Sequence, residues 1–316
     1  MLNPADRWVW DFWHVQDGST HHLFYLQAPR SLGDPHLRHR NATIGHATSK
    51  DLVNWTELGT VLRPGGPDAP DATATWTGCV VRADDGQWRM FYTGARFLSP
   101  GADGNVEVIL VAVSDDLHHW RKDSSVVVRA DERWYETLGS SSWPEEAWRD
   151  PWVYRGDDGQ WHMLVTARAR HGDIDGRGVI GHATSDDLHT WNVHPPLTAP
   201  GQGFAHLEVV QRATVGERSM VLFSAHSAVI SPDRISAGGR TGVWIAPWKN
   251  TIDLSEAQNV GASDLYSGRI VSTSDGPRLL GFLLDTDGAT PLGISDPEDF
   301  DRATIASGSE WTPTSF

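Results

Sequence analysis

The sequence has almost no cysteine and few basic residues, and both shortages limit what the protein can be. Its 316 residues include one cysteine, Cys79, so no disulfide framework can form within the chain. Lysine and arginine total 26 against 41 aspartate and glutamate residues, which gives a formal net charge of −15. Nucleic acids and anionic membranes both select clustered positive charge, so neither is expected as a partner.

Long apolar runs and targeting signals are also missing. No stretch approaches the 18 or so apolar residues of a membrane-spanning helix, and the first residues lack the charged-then-apolar order of a secretory signal. We therefore expect a soluble, cytoplasmic protein and leave its oligomeric state open. The chain instead contains 16 tryptophans, 31 glycines and 18 prolines. This composition is typical of all-β proteins with many turns.

A sequence pattern of an apolar strand, a serine, an acidic turn, a leucine and a tryptophan occurs three times. Its copies are IGHATSKDLVNW (44–55), VAVSDDLHHW (111–120) and IGHATSDDLHTW (180–191). Such regular self-similarity is the signature of a repeat architecture. His46 and His182 take the same place in two copies, so both are expected to be structural.

A hairpin element alternates with this pattern. Two of its copies, DDGQWRMFYTG and DDGQWHMLVTA, are nearly identical, and Asp-Gly turns between apolar strands indicate β-hairpins. Their spacing exceeds the repeats of about 40–50 residues in common propellers, which longer loops would explain. We predict an all-β, five-bladed β-propeller with its active site in the central channel and one domain over residues 1–316; a β-sandwich is the alternative. The element occurs at 16–28, 84–94, 157–167, 215–225 and 274–285.

The repeat also predicts which residues face the channel. The innermost strand of each blade lines it, and the strand before each Asp-Gly turn is the candidate. The residues at a similar distance before each turn glycine are three carboxylates and two hydroxyls. We expect them to lie together at one mouth of the channel. Carboxylates held together repel, which raises at least one pKa and suits acid and nucleophile roles; an aspartate that only caps a turn is the alternative. The five positions are Asp11, Thr77, Asp150, Glu208 and Ser267.

Carboxylates flanked by tryptophan are typical of carbohydrate sites. The segments WVWDFW (8–13), WTG (76–78) and RDP (149–151), with the later Glu208, resemble glycoside hydrolase clan J. Its families 32 and 68 contain the invertase, levanase and levansucrase relatives, which are five-bladed propellers; the arabinose- and xylose-active family 43 is a looser match. The resemblance implies a retaining glycoside hydrolase that cleaves β-fructofuranosides, such as sucrose or short fructo-oligosaccharides. It implies a small carbohydrate as partner, no cofactor and no metal.

Position by position, the resemblance implies three catalytic residues. Asp11 would be the nucleophile, Glu208 the general acid and then base, and Asp150 the residue that holds sugar hydroxyls and stabilises the transition state. The inner-strand tryptophans at 10, 13, 76, 148 and 152 are expected to form a sugar-stacking wall. The expected substrate-binding residues are Trp10, Trp13, Trp76, Thr77, Arg149, His206, His226 and Tyr266.

Some residues depart from the family patterns. Family 32 usually has a cysteine after the acid, where this chain has Val209, and His206 and His226 stand where family 68 has a glutamate and an arginine. The leaving-group side is therefore open. The alternatives are a fructosyltransferase, a family 43-like arabinosidase or xylosidase, and a non-catalytic sugar-binding propeller. His36 and His39 lie in a long blade-1 loop; such loops often shape subsites, but a role in substrate binding is the less favoured expectation for these two residues.

Overall fold

Strands follow one another through nearly the whole chain, because short apolar runs alternate with Gly- and Asp-rich turns. The computed structural model describes residues 1–101, 104–286, 288 and 290–300. Within these ranges, twenty strands form five antiparallel sheets of four strands each. No helix in the described part of the chain has the length and apolar character needed to cross a membrane.

Each sheet is one continuous stretch of chain, and its strands pair in sequence order, except that β20 pairs with β18. Blade 1 contains β1 (Arg7–Asp17), β2 (Thr20–Pro29), β3 (Thr43–Ser49) and β4 (Thr56–Leu62). Blade 2 contains β5 (Ala74–Arg82), β6 (Trp88–Phe97), β7 (Asn105–Ser114) and β8 (Arg121–Val128). Blade 3 contains β9 (Trp148–Arg155), β10 (Trp161–Arg168), β11 (Gly178–Ser185) and β12 (Asn192–His194).

The last two blades follow the same plan. Blade 4 contains β13 (Glu208–Val215), β14 (Arg218–Ala225), β15 (Gly242–Pro247) and β16 (Gln258–Val260). Blade 5 contains β17 (Leu265–Thr273), β18 (Gly276–Leu284), β19 (Pro291–Ile294) and β20 (Glu298–Asp299). The connections between strands include one short helix, α1 (Pro232–Ser236), and 3₁₀ turns at Arg30–Leu32, Pro35–Asn41, Ile174–Gly176, Ser227–Val229 and Leu254–Glu256.

The first strands of the five blades form a closed ring. β1 contacts β5, β5 contacts β9, β9 contacts β13, β13 contacts β17, and β17 contacts β1 again. The start of the chain strengthens this closure, because the backbones of Leu2 and Ile294 exchange two hydrogen bonds of 3.0 and 2.9 Å. The predicted five-bladed propeller is confirmed, and the β-sandwich alternative is wrong. That the chain is one domain over residues 1–316 stays a prediction, and residues 301–316 lie outside the described residues.

The repeated acidic turn has a simple local cause. In blade 2, Asp116 Oδ1 accepts the backbone N–H groups of His118 and His119, both at 2.8 Å, and Ser114 Oγ accepts that of Leu117 at 2.9 Å. Leu117 has a φ of +66°, which these bonds hold in place. The leucines of the other two copies have the same positive φ, +62° at Leu52 and +63° at Leu188.

The two repeated histidines lie in imidazole pairs. His46 is fully buried; its Nε2 lies 3.0 Å from Nδ1 of His22, and its ring stacks on Phe24 with centroids 4.5 Å apart. His182 pairs with His162 in the same way at 3.1 Å. Burial lowers the pKa of His46 to about 3 and that of His182 to about 4, so both rings are neutral in the fold.

Acid should therefore destabilise the fold through His46. An unfolded histidine takes up a proton near pH 6.5 while the buried one does not, so stability is complete above that pH and is lost as pH falls. The loss is about 1.4 kcal/mol per pH unit for one such group. Blade 2 has the buried Val111 at the corresponding repeat position, so we choose His46→Val. Between pH 6 and 4.5, we expect the free energy of unfolding of the variant to fall less steeply than that of the wild type.

Urea unfolding at pH 7.5, 6, 5 and 4.5 measures this slope. The variant should also lose about 1–3 kcal/mol at neutral pH, because His22 loses its buried partner. His171→Val, at an exposed histidine, is the control and should keep the wild-type slope. Parallel pH dependences in wild type and His46→Val would contradict the prediction.

Candidate active site

All five inner strands are irregular at the same level of the channel. The pairing register of each with its neighbour slips by one residue there, which is a β-bulge. Four of the five bulged residues have φ between +28° and +59°, a conformation that costs an L-residue free energy and clusters at functional sites. We call these residues the bulge ring: Asp11, Thr77, Asp150, Val209 and Ser267.

The residues just before the bulges form a second set, nearer the mouth, which we call the rim. Glu208 belongs to the rim, and the bulged residue of blade 4 is Val209. The expectation that three carboxylates share one register is therefore wrong for Glu208. The turns of the hairpins differ in length, with two loop residues in blade 4 and five in blades 2 and 3. Counting back from the turn glycine therefore does not reach the same strand position in every blade, and in blade 4 it reaches Glu208 instead of Val209. The rim consists of Trp10, Trp76, Arg149, Glu208 and Tyr266.

A cavity of about 540 Å³ opens at this mouth of the channel. It combines side chains from all five blades, so that groups far apart in sequence face one space. Ten of the eleven predicted site residues line it: Trp10, Asp11, Trp76, Thr77, Arg149, Asp150, His206, Glu208, His226 and Tyr266.

Trp13 is the exception, and the expectation that it binds substrate is corrected. Its side chain is 0% exposed and stacks on Phe24 with ring centroids 6.2 Å apart. It lies below the bulge, where inner-strand side chains pack between neighbouring blades. Trp148 is likewise buried, against Tyr135. Trp152 contacts Arg269 instead of the cavity, so only two of the five tryptophans expected in a stacking wall line the cavity.

Asp11 is oriented by hydroxyl groups from both neighbouring blades. Thr77 Oγ1 donates to its Oδ2 at 2.6 Å and Ser267 Oγ donates to its Oδ1 at 2.6 Å. Burial raises the pKa of Asp11, the two hydroxyl donors oppose that rise, and the charge of Glu208 adds to it. Both oxygens are therefore held in place in a carboxylate that is more basic than usual.

Asp150 is buried more deeply. Its Oδ2 accepts the backbone N–H of Val209 and the hydroxyl of Thr166, both at 3.1 Å. The positive φ of Val209 thus provides a donor where blade 4 has no polar side chain in the bulge ring. Burial raises the pKa of Asp150 to about 7, which Arg149 opposes and the charge of Asp11 reinforces.

Glu208 has the opposite electrostatic environment. Arg149 Nη2 donates to its Oε1 at 2.9 Å, and the hydroxyl of Tyr266 donates to its Oε2 at 2.7 Å. Burial alone would raise its pKa, but Arg149, His206 and Tyr266 outweigh burial and lower the pKa to about 2. Without a bound sugar, Glu208 is therefore ionised, whereas the pKa of Asp150 lies near neutral pH.

Two acidic residues that hold Arg149 are not among those predicted from the sequence. Glu107, on β7, is completely buried, and its Oε1 accepts Nη1 of Arg149 at 2.9 Å while its Oε2 accepts the N–H of Trp148 at 3.0 Å. Glu145 accepts the same Nη1 at 3.1 Å and lines the cavity. The available signal was a single carboxylate inside the apolar run of β7, since a buried charge needs a partner.

The blade-1 loop also reaches the cavity. Its 3₁₀ turn, Pro35–Asn41, brings His36, Arg38, His39 and Arg40 to the cavity wall. The carbonyl of His39 accepts Nε1 of Trp76 at 2.8 Å, which ties the loop to the rim. The less favoured expectation, that His36 and His39 lie where they can contact substrate, therefore agrees with their place in the cavity wall. Burial lowers the pKa of His39 to about 3, so its ring is neutral.

Carboxylates, an arginine and two tryptophans around one cavity form the kind of site that grips sugar hydroxyls and stacks on sugar rings. Fold and site together define a five-bladed propeller with a polar, tryptophan-lined cavity at one mouth of its channel. The chain belongs to glycosyl hydrolases family 32, because residues 3–280 match the model of the family's N-terminal domain.

Curated relatives agree with this assignment. Over 277 residues the chain is 28% identical to a sucrose-6-phosphate hydrolase of Zymomonas mobilis, covering 82% of this chain and 49% of that protein. Over 189 residues it is 28% identical to an insoluble β-fructofuranosidase isoenzyme of Arabidopsis thaliana, covering 58% of this chain and 30% of that protein. The chain thus spans half or less of the length of these relatives.

Solved structures share the fold. An inulosucrase from Halalkalicoccus jeotgali bound to kestose superposes with a TM-score of 0.70 at 21% identity, covering 90% of this chain and 79% of that one. A family 32 β-fructofuranosidase of Bombyx mori superposes with a TM-score of 0.66 at 19% identity, covering 93% and 60%. The resemblance to families 32 and 68 is confirmed.

The buried anchor of Arg149 should contribute strongly to stability. Replacing Glu107 with leucine removes one partner of a buried ion pair, which typically costs about 3–5 kcal/mol. Glu107→Gln keeps the shape but accepts through one oxygen only, so we expect a smaller loss of about 1–3 kcal/mol. Urea unfolding at pH 7 gives both values. The control is Glu256→Gln, which breaks an exposed ion pair with Lys249 of 3.2 Å and should cost less than about 1 kcal/mol. Equal losses in Glu107→Leu and the control would disprove the anchoring role.

Proposed function

We propose that this protein is a retaining glycoside hydrolase that cleaves β-fructofuranosides such as sucrose or short fructo-oligosaccharides. The observation that carries the proposal is the convergence of Asp11, Asp150 and Glu208 on one cavity in a chain of family 32. Relatives named β-fructofuranosidase and sucrose-6-phosphate hydrolase support the substrate class.

The surroundings of each carboxylate suit a different role. Asp11, whose oxygens are held by Thr77 and Ser267, attacks the anomeric carbon while the bond to the leaving-group oxygen breaks. Glu208 donates a proton to that oxygen, then takes one from the water that releases the sugar from Asp11. Asp150 accepts sugar hydroxyls and stabilises the positive charge that develops on the ring. The indole rings of Trp10 and Trp76 bound the space in which the fructosyl unit lies.

These roles require a proton to move when the sugar binds, because Glu208 is ionised in the free protein. Sugar hydroxyls that donate to Asp150 favour its ionised form, while a leaving group that excludes water from Glu208 favours its neutral form. Both effects transfer the proton of the carboxylate cluster from Asp150 to Glu208. The salt bridge to Arg149 then weakens at the stage where Glu208 must act as an acid.

The two principal roles can be separated by substitution. Asp11→Asn and Glu208→Gln should each reduce kcat for sucrose by roughly a thousandfold or more, with the fold intact by circular dichroism. A β-fructosyl fluoride needs no proton on its leaving group, so Glu208→Gln should keep most of its first-step rate on this substrate while Asp11→Asn should not. Asp17→Asn, an exposed aspartate on the same strand as Asp11, is the control and should behave as wild type.

The substrate panel and the product distinguish the remaining alternatives. No release of fructose from sucrose, kestose, inulin or levan would contradict the proposal. Transfer products in excess of free fructose at high substrate would identify a fructosyltransferase. Inversion at the anomeric carbon, seen by rapid proton NMR with arabinosides or xylosides, would indicate family 43-like activity. Tight sugar binding in calorimetry without turnover would indicate a sugar-binding propeller.

A phosphorylated sucrose is a second candidate substrate. Arg38 and Arg40 lie in the wall of the cavity, and arginine forks match phosphate geometry. Relatives named sucrose-6-phosphate hydrolase support this choice. The Arg40 guanidinium lies 4.0 Å from the ring centroid of Phe97, which holds its charge at the cavity edge.

This alternative predicts a difference in KM. Arg40→Gln should raise KM for sucrose 6-phosphate about tenfold, which corresponds to one lost charge-assisted hydrogen bond, and leave KM for sucrose within about twofold. Arg96→Gln, at an exposed arginine on the neighbouring strand β6, is the matched control for loss of charge. Equal effects of Arg40→Gln on both substrates would show that Arg40 does not contact a phosphate.

A further inference from the structure

A third tryptophan lines the cavity, and it comes from a loop. Trp143 belongs to the connection between β8 and β9. Two nearby residues fix this part of the connection. Glu145 accepts Nη1 of Arg149 at 3.1 Å, and the backbone N–H of Glu146 donates to the carbonyl oxygen of Asn105 at 3.1 Å. Trp143 therefore has a defined place in the cavity wall although it is not part of a strand.

The indole ring of Trp143 lies on the guanidinium of Arg168, whose central carbon is 3.6 Å from the ring centroid. Arg168, on β10, is completely buried, and all three of its guanidinium nitrogens are hydrogen-bonded. Its Nε donates to Glu136 at 2.6 Å, and its Nη2 donates to the carbonyl oxygen of Ile174 at 2.8 Å. Its Nη1 donates to the carbonyl oxygen of Ala205. The guanidinium is thus a rigid support that covers one face of the indole ring.

The remainder of the Trp143 ring is an apolar surface. The residue is half-buried, and the one polar atom of its side chain, Nε1, is buried and has no hydrogen-bond partner among the described residues. The side chain therefore presents only carbon to the cavity. A pyranose ring carries C–H groups on one face, and an indole ring is a large, rigid apolar surface that such a face can cover. Since Arg168 makes all its hydrogen bonds within the protein, Trp143 and its support suit an uncharged sugar.

The position of Trp143 indicates which sugar would stack on it. Its ring centroid lies 6.0 Å from that of His206, and Nδ1 of His206 lies 4.0 Å from Oε1 of Glu208. Glu208 protonates the leaving-group oxygen in the proposed mechanism, so the leaving group lies on this side of the cavity. Trp10 and Trp76, which bound the fructosyl unit, come from blades 1 and 2. In a ring of five, the blade opposite that pair is blade 4, which carries Glu208.

We propose that Trp143 is a specificity-determining residue on which the leaving-group sugar stacks, an uncharged pyranose such as the glucosyl unit of sucrose. Arg168 is its positioning residue and acts through Trp143, because it supports the indole ring from behind. This inference rests on the proposed function, in which Glu208 protonates the leaving group. It gives the cavity a second sugar site, formed by a loop residue, beside the fructosyl site formed by the inner strands.

Two substrates that share the fructosyl unit but differ in the leaving group test this role. Sucrose carries a second sugar, whereas the leaving group of β-fructosyl fluoride is a single atom. Trp143→Ala should lower kcat/KM for sucrose roughly tenfold and leave kcat/KM for the fluoride within about twofold. Trp143→Phe keeps an aromatic face and should restore most of the activity on sucrose. Equal changes on the two substrates in Trp143→Ala, or no change on sucrose, would overturn the proposal.

Trp134→Ala is the matched control. Trp134 belongs to the same connection and also has an arginine beside its ring, with the guanidinium carbon of Arg133 5.7 Å from the ring centroid. It is 38% exposed and is not among the residues that line the cavity. Its loss removes a tryptophan from the same loop and should leave kcat/KM for both substrates unchanged.

A double-mutant cycle tests the positioning role of Arg168. Arg168→Lys keeps a cation for Glu136 but loses the planar group that lies against the indole ring, so it should lower kcat/KM for sucrose and spare the fluoride. In the Trp143→Ala background, the same substitution should have no further effect on sucrose. Arg168→Gln, which keeps two donors, serves if the lysine variant does not fold. Equal effects with and without Trp143 would show that Arg168 does not act through it.

Binding measured without turnover separates this inference from the proposed function. In the Asp11→Asn protein, calorimetry compares sucrose with methyl β-fructofuranoside, which lacks the second sugar. Adding Trp143→Ala should weaken sucrose binding roughly tenfold and leave binding of the methyl fructoside within about twofold. If the wild-type protein cleaves no fructoside, the proposed function fails while this comparison still decides the role of Trp143. Sucrose binding that Trp143→Ala leaves unchanged, or no sucrose binding at all, refutes that role whatever the activity.

Discussion

The ion pairs around Arg149 are the interaction on which the site depends. Four carboxylates, those of Glu107, Glu145, Glu208 and Asp150, lie within 4 Å of its guanidinium. These neighbours hold the pKa of Arg149 well above its usual value. Without that cation, the carboxylates would repel one another in a buried space. Its fixed position also gives the carboxylates different pKa values. Glu208 accepts a hydrogen bond from Arg149 directly, whereas Asp150 lies further away and has the higher pKa.

The bulges determine which side chains meet Arg149. Each inner strand gains one residue at the same level, so side chains on both sides of the bulge can face the cavity rather than alternate away from it. In blade 1 this brings Trp10 and Asp11 to the same cavity, and in blade 3 it does so for Arg149 and Asp150. The price is four residues with positive φ, which the surrounding sheets hold in place. The strain is thus concentrated where the substrate would bind.

Repetition explains how much of this could be predicted from sequence. The five hairpins predicted the blades, and the repeat placed Asp11 and Asp150 at the channel because the fold imposes the same geometry on each copy. Glu208 was placed one residue out of register because turn length varies between hairpins, and no local pattern marks where a bulge occurs. Trp13 was misassigned for a related reason. A bulge shifts the alternation of side chains along the strand, so it changes which of the following residues point between neighbouring blades. Contacts between blades, such as that of Glu107 with Arg149, follow from closure of the ring and leave little trace in the sequence.

The charge of Arg149 helps to explain how a chain with a net charge of −15 can hold two carboxylates side by side in a buried space. Arg149 lies at the rim, and its Nε is 3.9 Å from Oδ2 of Asp150 in the bulge ring. A sugar that fills the cavity displaces water and strengthens every charge interaction left inside. Repulsion between the two aspartates would then grow unless a cation already lay beside them. Because Arg149 is buried before substrate arrives, its effect on the carboxylates beside it does not depend on solvent and persists when the cavity is filled.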